Sequence, residues 1–213
     1  MIVYDIEIKK GIPSSKSPSE PDIQYCDGWR DFKNMGCSLI TVFDFKTCLP
    51  RVFMDDNYVE FFQLVERTET VVGFNNHNFD DNLLSEMGVR VRPWTHPDDV
   101  ISNAPQSFDL LRAIWKAAGL DPTSFGYHHQ GYGLDDLCLA NLRQGKRGTG
   151  AIAAILYQRQ KFGSLIDYGL TDVMLTTWLL ALCYKQPIMN PKKPGERLHV
   201  SIPFDVPPIA PIL

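Results

Sequence analysis

The segment Ile2-Val3-Tyr4-Asp5-Ile6-Glu7-Ile8 sets two carboxylates two residues apart in an otherwise apolar, β-branched run. Side chains alternate across a strand, so Asp5 and Glu7 share one face of it. Two anions held that close repel unless both face bulk water or a cation sits between them, and a divalent metal ion is the common biological choice. Both readings are open at this point: a solvated strand face, or half of a metal site.

The following residues supply a sheet for that strand. Residues 9–35 are polar and rich in Pro, Gly and Ser, and read as a long loop inserted after the first strand. Cys37 to Asp44 and Arg51 to Met54 then read as two more strands joined by a short turn, which suggests an antiparallel meander. A helix is expected over residues 57–66, a buried strand over 70–74 and a helix from Phe79 to Met87. Phe108 to Ala118 has helical composition, with Ser107 to Leu110 able to pair as a strand first. Further helices are expected at Leu134 to Leu142, Ala151 to Lys161 and Ser164 to Tyr184, with a break near Gly163. The last 27 residues hold seven prolines and read as an extended tail, about 187–213, with His199 to Phe204 as an edge strand. Three strands followed by alternating helices and strands give an α/β domain with a mixed sheet.

Length and charge narrow the class. The 213 residues, 44% hydrophobic and 22% charged, suffice for a sizeable core and are read as one domain, residues 1–213. A net charge of −4 argues against a protein that coats nucleic acid by bulk electrostatics, although a local basic groove beside an acidic site is compatible with it. The five cysteines are odd in number, scattered and without a Cys-x-x-Cys pair, as expected for reduced thiols in an intracellular, cytoplasmic setting. The acids of the first strand interrupt any signal-peptide core, and the apolar stretch from Val173 to Tyr184 is too short to cross a bilayer, so no membrane partner is expected. Histidines 77, 96, 128, 129 and 199 lack zinc-ligand spacing.

Two other acidic segments stand out. Asn75-Asn76-His77-Asn78-Phe79-Asp80-Asp81 lies where a strand hands over to a helix, the place where α/β sheets most often bind ligands and also a place for ordinary helix-capping residues. Asp167-Tyr168-Gly169-Leu170-Thr171-Asp172 opens a long helix, with Tyr168 and Asp172 four residues apart and therefore on one face.

In order, Asp-x-Glu on the first strand, Asn-x-x-x-Phe-Asp after a later strand and Tyr-x-x-x-Asp on a late helix resemble the three motifs of the DEDD 3′–5′ exonucleases. They look like the tyrosine branch of that superfamily in particular, over residues 1 to about 184. Gly133-Leu-Asp-Asp-Leu-Cys-Leu-Ala-Asn141 is similar to the helix between its second and third motifs. The resemblance implies a ribonuclease H-like fold: a mixed β-sheet, its first three strands antiparallel, flanked by helices. It implies a catalytic set of Asp5, Glu7, Asp80, Tyr168 and Asp172, with the four acids holding two divalent ions, Mg²⁺ or Mn²⁺. Asp5 would bridge both ions, Glu7 and Asp172 would complete the first, and Asp80 would serve the second. Asp81 and Asp167 are alternative acids outside the motif spacing.

Phosphodiester cleavage suits such residues, because two cations about 3.5–4 Å apart stabilise both the attacking and the leaving oxygen. Hard oxygen ligands select Mg²⁺ or Mn²⁺. A phenol of pKa about 10 is a poor base at neutral pH, so positioning of the attacking water is the role for Tyr168. Asn75, Arg143, Lys146 and Arg147 are candidates for substrate contacts, and Tyr127, His128 and Tyr132 for base stacking. The expected substrate is nucleic acid with a free 3′ end, single-stranded DNA first and RNA as the alternative. A non-catalytic nucleic-acid-binding module is the rival reading. Proofreading would need a separate polymerase or another replication or repair protein, since none is attached.

Overall fold

The computed structural model describes residues 1–14, 20–94, 103–145 and 151–209. Its central feature is a six-stranded mixed sheet. The strands are β1 (Ile2–Ile8), β2 (Cys37–Asp44), β3 (Leu49–Phe53), β4 (Thr70–Gly73), β5 (Arg92–Pro93) and β6 (Gln106–Asp109), in the order β3-β2-β1-β4-β6-β5. The first three pair antiparallel and β1, β4, β6 and β5 pair parallel. This is the ribonuclease H-like arrangement expected from the sequence.

The alternation along β1 divides its neighbours between two layers. Ile2, Tyr4, Ile6 and Ile8 pack with Phe61 and Val65 of α2 (Tyr58–Glu66) and with Leu83 and Leu84 of α3 (Asp80–Glu86). Val3, on the other face, joins Ile114 of the helix Leu110–Ala117, Leu137 of the helix Leu134–Leu142 and Val173 of the helix Phe162–Lys185. With α1 (Phe32–Met35) and the helix Ala151–Gln158, these three become α4, α5 and α7, and Ala151–Gln158 becomes α6. Asp5 and Glu7 thus project towards α7, the layer that also carries Tyr168 and Asp172.

Several expectations are corrected. The break between α6 and α7 falls at residues 159–161, where Gln160 adopts φ +55°, and Gly163 is helical. Ser107 and Phe108 belong to β6 because they pair with β4, and α4 begins only at Leu110, where the Asp109 side chain accepts the Arg112 N–H at 3.3 Å. His199 to Phe204 is not a strand: Ile188–Met189 (β7) pairs instead with Arg197–Leu198 (β8). The long loop also contains α1. At 24 residues α7 extends well beyond Val173 to Tyr184, and among the described residues it is the one helix long and apolar enough to cross a membrane. It packs on β1, β2 and α5 as a core helix.

Candidate active site

The sheet opens where the site forms. β1 and β4 pair only through Ile2 with Val71 and Val3 with Val72, after which the two parallel strands separate towards their carboxyl ends. The Ile6 N–H donates at 2.8 Å to Asp80 Oδ1 instead of to a strand. This places the second acidic motif against the first. Divergence of neighbouring strands at the carboxyl edge is the usual way an α/β sheet creates a ligand crevice.

The third motif arrives on α7. Gly169 lies so close to the sheet that a Cβ there would come within 2.8 Å of Leu39 and 2.9 Å of Thr41. Leu39 and Thr41 are the β2 residues paired with Glu7 and Asp5. Ligand oxygens of Asp5, Glu7 and Asp172 consequently all lie within 4.8 Å of one another. Asp172 is 2% and Glu7 8% exposed and Asp5 is partly buried, so water screens this group of carboxylates poorly, and a divalent cation fits their hard-oxygen donor set.

Tyr168 and Asp80 complete the floor of a cavity of about 670 Å³ that is also lined by the three carboxylates. Burial, and next the charge of Asp5, push the Asp80 carboxyl well above its ordinary range, while the Ile6 N–H acts in the other direction. Burial and the surrounding Glu7, Asp172 and Asp5 likewise raise the Tyr168 hydroxyl. A phenol held protonated can donate a hydrogen bond to a water molecule but cannot accept its proton at neutral pH.

Residues 11–14 and Trp29 of the inserted segment line the same cavity. Gly11 N–H donates to Gln24 O at 2.9 Å and Cys26 N–H to Gly11 O at 3.0 Å, which ties Gly11 to residues 24–26. Gln158 of α6 holds both limbs: its Nε2 donates to Lys9 O (2.8 Å) and Gln24 O (3.0 Å), and its Oε1 accepts the Gln24 N–H (2.7 Å). Arg159 pairs with Glu20 and Asp22. Fixed in this way, the loop presents Ile12, Pro13 and Trp29 to the cavity. Trp29 is 68% exposed and packs edge-on against Phe79 at 5.9 Å between ring centroids. Carboxylates and aromatic rings in one cavity suit a ligand with a charged group and a flat apolar one.

The other candidate residues separate clearly. Asn75 lines the cavity at φ +66°, with its side-chain oxygen accepting from Asn78 Nδ2 at 2.8 Å. Asp81 is excluded from the cavity because its carboxylate accepts from Tyr4, from Ser107 Oγ (2.7 Å) and from Asn76 Nδ2 (3.2 Å). Asp167 lies in a different groove, beside Gln144 and Trp178. Arg143 is exposed at the end of α5, away from the cavity lining, and Lys146 and Arg147 lie outside the described residues. Tyr132 is no stacking platform: it is buried and its hydroxyl donates to Asn190 Oδ1 at 3.1 Å. Tyr127 and His128 are exposed on a turn outside the cavity lining.

Sequence reasoning missed Trp29 and Gly169. A glycine inside an apolar helix costs about 1 kcal/mol relative to alanine and therefore signals a close approach, a clue that Gly169 offered. Trp29 gave only the weak signal of a large aromatic residue in a polar loop.

No protein-family model and no curated protein matches the chain. Among solved structures it is similar to the family B DNA polymerase from the hyperthermophilic archaeon Pyrobaculum calidifontis, at 17% identity and a TM-score of 0.47. The match covers 84% of this chain and 24% of the polymerase, so the chain spans about a quarter of that protein's length.

Proposed function

We propose that the chain is a divalent-metal-dependent 3′–5′ exonuclease that removes nucleotides from single-stranded nucleic acid, DNA by preference. One observation carries this reading: Asp5, Glu7 and Asp172 converge within 4.8 Å at the base of a cavity that Asp80 and Tyr168 also line. Asp5, Glu7, Asp80 and Asp172 would hold the Mg²⁺ or Mn²⁺ ions. When bound, such ions supply a water of lowered pKa and neutralise charge on the phosphate oxygens.

The protein's own groups do the rest. The Tyr168 hydroxyl, kept protonated, donates a hydrogen bond that orients the attacking water. Phe79 and Trp29 flank the cavity and would receive the terminal base, since base–aromatic stacking accepts any base. The tethered inserted loop bounds one side of the cavity, which favours a single strand over a duplex end.

The test presents 5′-labelled single-stranded DNA, RNA and duplex with Mg²⁺, Mn²⁺ or chelator to the wild type, Asp5→Ala and Tyr168→Phe. A ladder shortening from the 3′ end, lost with chelator and with Asp5→Ala and slowed about 10- to 100-fold by Tyr168→Phe, supports the proposal. Tight binding without metal-dependent product in any condition contradicts it and favours a binding module.

A further inference from the structure

A second cavity of about 530 Å³ lies behind the turn that leads into Asp80. Asn75 of that turn lines the first cavity and His77, two residues on, lines the second. One buried carboxylate joins the two places: Asp109 accepts the Asn75 N–H at 3.0 Å and the His77 N–H at 3.3 Å. The two cavities therefore adjoin the same short stretch of backbone.

The chemistry of the second cavity differs from that of the first. Arg112 and Lys116, one turn apart on α4, line it together with His77 and His199. Asp109 is the one carboxylate among its described lining residues, and that side chain is fully buried, occupied by amide N–H groups and by Arg112. Lys116 and His199 are exposed and have no carboxylate partner among the described residues. In a chain of net charge −4, Lys116 and Arg112 against the Asp109 carboxylate leave a positive balance among the described lining residues. Trp94 adds an aromatic surface, held by Phe204 with ring centroids 4.9 Å apart. An uncompensated lysine, beside Arg112, two imidazoles and an aromatic ring in one cavity, offers the features that bind a single nucleic-acid strand.

We infer that this second cavity is a binding site for a nucleotide unit of the substrate strand upstream of its 3′ end, with the phosphate on Lys116, Arg112 and His199 and the base against Trp94. The identity of the ligand rests on the nucleic-acid reading of the main site; the site itself rests on its own residues. Arg112 also donates to Asn78 Oδ1 at 2.8 Å, so a phosphate drawn to this guanidinium is coupled to the turn that carries Asp80.

The test is binding in chelator, which needs no chemistry. Fluorescence anisotropy compares a labelled 12-nucleotide strand, a dinucleotide and thymidine monophosphate on the wild type, Lys116→Glu and Lys46→Glu. Lys46 lies at the β2–β3 turn, beyond the opposite end of β1, and matches the charge change. Lys116→Glu is expected to weaken the 12-nucleotide strand about tenfold and to flatten its salt dependence by about 0.7 in log–log slope. Lys46→Glu is expected to stay within about twofold of the wild type, as is the dinucleotide on either variant. Equal effects of the two substitutions, or none from Lys116→Glu, overturn the inference. So does a loss for thymidine monophosphate as large as for the strand, which would assign the cavity to free nucleotides. Lys116-dependent strand binding in a protein that never cleaves would sink the exonuclease reading while supporting this one.

Discussion

Thr41 Oγ1 donates to the backbone oxygen of Gly169 at 3.0 Å, a contact possible only because residue 169 has no side chain. The bond joins β2 to α7 at the level of Asp5, the residue paired with Thr41. Gly169→Ala must push the helix outwards, since the added carbon would lie within 3 Å of both Leu39 and Thr41. The expected result is a destabilisation of about 1–3 kcal/mol by denaturant titration and a fall in kcat of about 100-fold as Asp172 and Tyr168 withdraw from β1.

Asp109 gives a pH signature away from the acids of the proposed metal site. Burial raises its carboxyl above the ordinary range, against the opposing influence of His77 and of the amides it accepts. The folded protein therefore holds this proton more firmly than the unfolded chain does. Its contribution to stability is fully present below the unfolded pKa of about 3.9 and is lost as pH rises through the folded value. Urea titrations across pH 3.5 to about 7.5 should show the wild type losing stability relative to Asp109→Asn as pH increases. A difference that is flat, or that grows with pH, would contradict the assignment.

Trp29 is exposed enough that Trp29→Ala should fold normally. Loss of one stacking surface is expected to raise KM for single strands about 10-fold with a smaller change in kcat. A terminal abasic residue should raise the wild-type KM similarly and leave the variant almost unaffected. Steady-state kinetics on the two substrates measure this, and equal base discrimination by both proteins would remove Trp29 from the site.

The proposed metal site predicts opposite effects of its crowded carboxylates with and without metal. Asp172→Asn removes one of three anions whose oxygens lie within 4.8 Å, so the metal-free protein should become more stable, by about 1–3 kcal/mol. The wild type should gain about 2.7 kcal/mol when Mn²⁺ reaches a hundredfold excess over its Kd, and the variant much less. Thermal melts with and without Mn²⁺ check both signs.

Much of this architecture was legible in local pattern. Leu134 to Leu142 emerged as a helix with those bounds because Gly133 precedes an uninterrupted helical stretch. The period-2 alternation of β1 put Asp5 and Glu7 on one face, and burial of Ile2, Tyr4, Ile6 and Ile8 on the other is its direct consequence. What the sequence hid depends on contacts between distant residues. The break before α7 is set by Gln160 in a left-handed conformation, although Gly163 was the stronger local signal. Residues 9–35 read as a plain loop because the partners that hold Lys9, Glu20 and Gln24, namely Gln158 and Arg159, lie more than 130 positions away. Motif spacing favours Asp80 over Asp81, and the fold supplies the physical reason: Asp80 meets Ile6 N–H, whereas Asp81 meets Tyr4.

The most direct measurement of the central claim is the anomalous signal of manganese in crystals grown with Mn²⁺ and thymidine monophosphate. The account expects two ions in the 670 Å³ cavity, both liganded from the group Asp5, Glu7, Asp80 and Asp172 and both touching the phosphate. Manganese bound elsewhere, with these four carboxylates empty under saturating metal, would contradict it.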